Sequence, residues 1–530
     1  MYSISVLLMA MGTALFIAHH VTGVIRVLFF SRISHIPGPK LAALTYFYQA
    51  YWDLWPHQGQ FAFHCIKLHK IYGPIVRIGP DEVHIDDPSF YSSCYPGSIG
   101  RQRDKSMLHF GWAQGLEQYG DGNTFFTLSH DDHRMRRSML APFFSKQKVR
   151  DLEVKIQEKV IRFRERLLEY AADKEKGSAP IDFSNATGAL TLDIISGYTL
   201  GKSIGALDRT DLARDYHEAL RNSAKLGPIA RAFPFIPRAM VMLPDWIVKL
   251  RPEMTAGKEF QELVTDLTRM AFENAKKSQG NEDRTILQTL INHPTAPEKE
   301  KEFNRLSAEV MIMFAAGGEP TGRALAVTLL HILLNPPIYK RVLSELRPLI
   351  PSYDAPLPPT KQLEALPYFS AVISEGLRMT HGVAGRLGRI APNETLTYPK
   401  GKNGPVQIPA GVTFSQTLYL VHNNEKIFPE PFAFRPERYL RPENATEAET
   451  QAVNAAKASL APFGKGARSC LGMNLAYSEL YLTLAAILAG LKLELADGVS
   501  EKDGRITQEY LIGCLDDSRA GISINVLGTL

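Results

Sequence analysis

The sequence predicts a mainly α-helical fold with small β-sheets, preceded by a single N-terminal transmembrane helix. Three features carry that expectation. The N-terminus is a long run without charge, helical patterns dominate residues 146–280 and recur at 307–335 and 360–380, and a last apolar run spans Leu471 to Leu491 behind a glycine-rich loop. With 530 residues, 45% of them apolar and 22% charged, the chain can bury a large core, which excludes global disorder and fits one large catalytic domain. A net charge of +5 is too small for this length to suggest a nucleic-acid partner, and there is no basic tail. The four cysteines, Cys65, Cys94, Cys470 and Cys514, are too widely spaced for a disulfide framework or a paired metal-ligand motif, which favours a reducing compartment.

Taken in order, Ile4 to Ala18 carries no charge, and apolar character resumes after His19-His20 as far as Phe30, broken by Arg26. A helix over Tyr2–Ile25 is long enough to cross a bilayer. A cleavable signal peptide competes with that reading, but a basic leader and a clear small-residue cleavage site are both missing. Arg26, Arg32 and Lys40 all follow the segment, which puts the remainder in the cytosol. Residues 1–30 are thus expected to be a membrane anchor, 31–40 a Pro-rich hinge around Pro37-Gly38-Pro39, and 41–530 the catalytic domain. Residues 75–78 and 83–85 read as strands joined by Gly79-Pro80-Asp81, a β-hairpin. Residues 95–127 read as a long loop, and loops of that length in compact domains are usually functional. His130 to Arg137 opens a helix with a basic face. Residues 174–180 and 278–283 read as solvent loops, and Asn185 and Asn444 form sequons that a cytosolic domain would not use.

A helix from about Ser307 to Asn335 would span roughly 42 Å. Its centre, Ala315-Ala-Gly-Gly-Glu-Pro-Thr321, is poor helix sequence, so a local break is expected there. Pro320 has no N–H to give the carbonyl of Ala316, which leaves that carbonyl free. Thr360 is expected to cap a helix reaching Thr380. Glu375 and Arg378 lie on one face of it at i and i+3.

The loop Phe463-Gly-Lys-Gly-Ala-Arg-Ser-Cys-Leu-Gly472 is the most specific stretch in the chain. Gly464 and Gly466 permit positive φ and a close backbone approach. Cys470 arrives at a helix start, where free N–H groups favour a thiolate, and Arg468 adds a cation. A tight turn with an inert buried cysteine would satisfy any one of these residues, but the full spacing F-x-x-G-x-R-x-C-x-G is far more restrictive.

That spacing resembles the haem-binding signature of the cytochrome P450 superfamily, the haem-thiolate monooxygenases. The resemblance implies the cytochrome P450 fold and haem b (iron protoporphyrin IX), with Cys470 as the iron ligand and Phe463 and Gly464 in the cofactor loop. It implies that Arg137, Arg389 and Arg468 hold the haem propionates, with His133 standing where the family has tryptophan. Residues 315–321 resemble the family's A-G-x-[D/E]-T oxygen-binding motif, so that Gly317 faces the haem while Glu319 and Thr321 serve proton delivery. Pro320 occupies the family's threonine position, and Thr321 follows one place later. Glu375, Arg378 and Arg438 resemble its Glu-Arg-Arg structural network. The loop at 95–127, residues 383–388 and Gly513-Cys514 would border the substrate cavity. Text around residues 72–85 resembles fungal microsomal members, particularly the trichodiene-oxygenase-like group.

The expected activity is therefore insertion of one oxygen atom from O2 into a lipophilic substrate, a terpenoid or polyketide intermediate of secondary metabolism. Met311 and Phe314 contribute the apolar character behind that expectation. Nothing in the chain resembles a flavin or nicotinamide domain, so electrons would come from NADPH through a separate microsomal flavoprotein reductase. Arg134, Arg136, Lys146, Lys148 and Lys465 could provide its docking field. The expected location is the endoplasmic reticulum membrane, single-pass. A haem-thiolate isomerase or dehydratase, and a membrane-anchored haem sensor, are the competing readings.

Overall fold

The computed structural model describes residues 4–97, 100–113, 122–172, 179–277, 285–401, 404–516 and 521–530. Most of the two expected solvent loops, at 174–180 and 278–283, lies outside those residues. Helix α1 (Ile4–Phe29) is continuous and takes Arg26 into its last turn. Within it Leu8–Phe29, 22 residues, is long and apolar enough to cross a membrane, and none of that stretch is buried. His19-His20 does not end the helix, and His20 Nδ1 bonds the Phe16 carbonyl at 2.9 Å.

Pro37 and Gly38 dock on the first sheet. Arg77 N–H donates to the Pro37 carbonyl at 2.8 Å, and a side chain at Gly38 would collide with the Arg77 carbonyl. That sheet comprises β1 (Ile75–Gly79), β2 (Glu82–Ile85), β3 (Asp104–Lys105), β4 (Arg389–Ile390) and β5 (Thr413–Ser415), in the order β1-β2-β5-β4-β3. The β1–β2 hairpin is the one read from the sequence. The β2–β5 pair is parallel, and β3–β4 is antiparallel with Lys105 opposite Arg389. This register brings two cations from distant parts of the chain to one sheet edge.

The helical body contains α2 (His130–Leu140), α3 (Lys146–Ala172), α4 (Phe183–Leu200), α5 (Arg214–Ala232), α6 (Pro252–Lys277), α7 (Phe303–Leu334), α8 (Pro367–Thr380) and α9 (Met473–Gly490). Helix α9 is buried almost throughout and, with α7 and α8, forms the main core. Asn185 is buried and donates to the Asp211 carbonyl at 2.9 Å, so this sequon is a packing residue.

Two expectations are corrected. Helix α7 does not break at its centre: its 32 residues, about 48 Å at 1.5 Å each, run unbroken through Gly317, Gly318 and Pro320. The reason is tertiary. The α4 hydroxyls satisfy α7 carbonyls, Thr191 Oγ1 donating to Gly318 at 2.6 Å and Thr187 Oγ1 to Gly322 at 2.9 Å. A Cβ on Gly322 would stand 2.9 Å from Gly188 backbone, so glycine permits this close crossing. Packing thus outweighs a propensity cost of about 1 kcal/mol per glycine. Thr360 likewise does not cap one long helix. It starts a short one, Thr360–Glu364, and α8 begins afresh with Pro367 in its first turn, where a missing N–H costs nothing.

Candidate active site

Gly464 and Gly466 do adopt positive φ, +66° and +78°. At Gly466 a side chain would strike the carbonyls of Tyr95 and Pro96, and Ala467 N–H donates to the Pro96 carbonyl at 3.0 Å. The loop is closed by Cys470 N–H on the Phe463 carbonyl at 2.8 Å, while the Phe463 ring packs 5.1 Å from that of Tyr477. Gly472 is the N-cap of α9, so Cys470 stands just ahead of the helix. Cys65, Cys94 and Cys514 are buried, whereas Cys470 is exposed. Desolvation by the surrounding protein pushes its thiol above the ordinary value, and the Gly472 N–H and Arg137 pull it back. A cationic metal would complete that pull.

Beside the cysteine lies a group of cations. Arg468 donates to the carbonyls of Thr127 (2.7 Å), Leu128 (2.7 Å) and Ser129 (2.9 Å), and its Nε has no hydrogen-bond partner among the described residues. Arg137 donates to the Ser469 carbonyl at 2.7 Å. Arg389 donates to the carbonyls of Leu387 and Gly388, at 3.4 and 3.2 Å, and lies 5.5 Å from the centroid of the Tyr95 ring. Lys105, which the sequence reading missed, is buried and donates to the Phe125 carbonyl. Among the described residues none of these four forms an ion pair. Their mutual repulsion is legible in protonation. Burial, Arg389 and Arg137 push Arg468 down to about 9 against the pull of Asp104. Burial and the four cations hold His133 at about 2, a neutral imidazole. Four cations beside a cysteine suit a group that carries two carboxylates and a thiolate-binding metal, as haem does, so these residues fit it.

The α7 face bearing Ile312, Ala316 and Pro320 is the one that meets open space, since Ala316 is exposed while Thr321 to Ile332 are buried. Ile312 packs with Phe110, Phe126, Leu387 and Leu511 in an apolar wall. The expected contributors Met311 and Phe314 turn the other way, into the main core. Gly317 does not face that opening: its missing Cβ would stand 2.7 Å from Ile195 Cγ1 of α4, so it serves helix packing. Glu319 Oε1 is 4.0 Å from Arg323 Nε, beyond hydrogen-bond range, and Oε2 has no hydrogen-bond partner among the described residues. Glu319 borders a cavity of about 60 Å³ that is also lined by Ser184, His217, Arg323, Gly513 and Cys514. Thr321, two residues after Glu319, is buried.

Glu375 and Arg378 are fully buried and paired twice at 2.8 Å, with Arg438 Nε at 3.2 Å from the same carboxylate. Arg435 N–H (2.9 Å) and the Tyr439 hydroxyl (3.2 Å) also donate to Glu375, and Arg378 donates to the His422 carbonyl at 2.9 Å. This fastens the segment leading to the cysteine loop onto α8. Arg386 is taken up elsewhere, by Gln49, Asp53 and Glu82. Two of the expected docking cations are engaged, Arg136 with Glu300 at 3.0 Å and Lys146 with Glu364 at 2.8 Å, while Arg134 and Lys148 are exposed.

The comparisons agree with this geometry. The family model described as Cytochrome P450 matches residues 39–515. The chain is 42% identical over 535 residues to the cytochrome P450 monooxygenase ucsK of an Acremonium species, covering 98% of each. It is 37% identical to the cytochrome P450 monooxygenase tpcC of Cochliobolus heterostrophus, covering 94% of this chain and 93% of that one. It is 32% identical, with the same coverage, to the N-acetyltryptophan 6-hydroxylase ivoC of Emericella nidulans.

Proposed function

Because the chain belongs to the cytochrome P450 family, we propose roles for its own residues in a haem-thiolate monooxygenase that acts on an intermediate of fungal secondary metabolism. The exposed Cys470, its N–H held by the Phe463 carbonyl and four cations beside it, carries the reading. Cys470 would ligate the iron of haem b, with Phe463 and Gly464 in the loop that carries the cysteine, and Arg137, Arg389 and Arg468 would hold its carboxylates. When bound, that haem supplies dioxygen activation, which thiolate ligation favours. Electrons come from a reductase, for which NADPH and the microsomal flavoprotein are the fitting source. The wall of Phe110, Phe126, Ile312, Leu387 and Leu511 suits a lipophilic substrate, a terpenoid or polyketide. Helix α1 would anchor the protein in the endoplasmic reticulum membrane with the catalytic domain in the cytosol.

Glu319 has one oxygen free and borders a cavity with room for water, so it is suited to pass protons toward the α7 opening. The Ala316 carbonyl, which Pro320 cannot bond, offers water an acceptor there, and Thr321 lies five residues on. Glu319→Gln should leave haem binding intact while electrons drain into peroxide; full coupling in that variant would rule the relay out. The activity itself is tested with isotopically labelled O2. One labelled atom per product and strict dependence on reductase support monooxygenation, and reductase-independent conversion would favour the isomerase or dehydratase.

A further inference from the structure

Arg386 stands at the centre of a buried ion cluster. Its guanidinium donates to Gln49 Oε1 (3.0 Å), Asp53 Oδ2 (3.3 Å) and Glu82 Oε1 (3.4 Å), with the Phe61 ring 4.4 Å away. Glu82 also accepts from Gln49 Nε2 at 2.7 Å and from His109 Nε2 at 2.8 Å. Asp53 also accepts from Arg231, in the last turn of α5, at 3.1 Å. Burial would raise the Glu82 carboxyl, but His109 and Arg386 hold it at about 2. Glu509 adjoins the cluster: burial and Asp53 push its carboxyl up, and Arg386 and Arg231 draw it back. That carboxyl accepts from the Leu511 N–H, and a side chain at Gly385 would strike it.

Such a cluster gains little stability, because desolvating each charge offsets most of the attraction. What it fixes is geometry, since a guanidinium fork meets its carboxylates in few arrangements. Three members of the cluster lead directly into the apolar wall. Phe110 follows His109, Leu387 follows Arg386, and Leu511 is held by Glu509; all three wall residues pack with Ile312 of α7. The Gly385 N–H donates to the Leu511 carbonyl at 3.1 Å, and a side chain at Gly388 would strike the His109 ring. Three distant parts of the chain are thus registered against one another behind one apolar face. We propose that Arg386 is a positioning residue for substrate: its ion cluster sets the relative placement of Phe110, Leu387 and Leu511, and with it which lipophilic shapes the wall accepts. This rests on the reading of that wall as the substrate face of a haem enzyme. Supporting side chains locked by packing and hydrogen bonds are what such a wall needs to hold one shape.

The test uses the full-length, haem-loaded protein and two iron-binding probes followed by haem absorbance. Imidazole is small, whereas clotrimazole is an imidazole carrying three aryl rings. Arg386→Gln removes the central charge, His109→Ala cuts the arm leading to Phe110, and His109→Gln restores a donor for Glu82. Arg386→Gln and His109→Ala should keep the red-shifted ferrous-carbonyl band and the parent's imidazole affinity. Both should bind clotrimazole about tenfold more weakly, the equivalent of roughly two buried methylene groups. His109→Gln should bind both probes as the parent does. Parent-like clotrimazole binding in either folded variant, an equal loss for both probes, or no rescue by His109→Gln would overturn the proposal. If Arg386→Gln fails to hold haem, His109→Ala decides; loss of the band there too would leave the cluster a structural pin and overturn the proposal. Failure of the haem reading is distinguishable, because the parent itself would then lack the red-shifted band.

Discussion

Replacing Glu375 with alanine should be among the most damaging single changes in the domain. The carboxylate is fully buried and accepts from Arg378, Arg435, Arg438 and Tyr439, at 2.8 to 3.2 Å. Removing it strands the Arg378 guanidinium, itself 0% exposed, with the His422 carbonyl as its main remaining oxygen partner. Breaking a buried pair by deleting one member costs about 3–5 kcal/mol. A domain has only about 5–15 kcal/mol to lose, so the variant should be marginal at best. Urea unfolding followed by far-ultraviolet circular dichroism and by haem absorbance measures the loss. Arg378→Met and the double variant complete the cycle: because Glu375→Ala already exposes the conflict, the double variant should be no worse than either single one. A loss below about 1 kcal/mol, or additive effects, would refute the argument that this network fastens the cysteine segment.

A chain beginning at Ser31 should lose integral membrane association and still bind haem; carbonate-resistant membrane retention would require another anchor. Stability should also fall in mild acid. Burial holds His217, His331 and His422 neutral, at about 3, 4 and 3. Unfolded histidine takes its proton near 6.5, so below that pH the unfolded chain binds more protons and stability is lost as pH falls. Three such groups give a slope of about 4 kcal/mol per pH unit near pH 5, easing as His331 titrates near 4. Denaturation midpoints at pH 7, 6 and 5 check this; a flat profile would contradict it.

How much was legible follows from where each constraint resides. The cysteine loop and the β1–β2 hairpin could be read because positive φ, ring geometry and turn chemistry are local. The Glu375–Arg378 pair was readable from helical spacing, although only burial makes it strong. Gly317 was misplaced because glycine serves equally for cofactor approach and helix crossing, and only Ile195, more than a hundred residues away, decides between them. The expected break in α7 failed for the same reason, since Thr187 and Thr191 repair what local propensity condemns. Lys105 left no signal at all: its meaning comes from strand pairing with Arg389 and from two rings beyond its own strand.

The central claim is that Cys470 supplies a thiolate to haem iron, and the carbonyl spectrum of the reduced protein tests it most directly. The parent should show the red-shifted band of a thiolate-bound ferrous haem. Cys470→Ala should lose that band or the haem altogether, while keeping the far-ultraviolet spectrum of a folded helical protein. An unchanged band in Cys470→Ala would contradict the account.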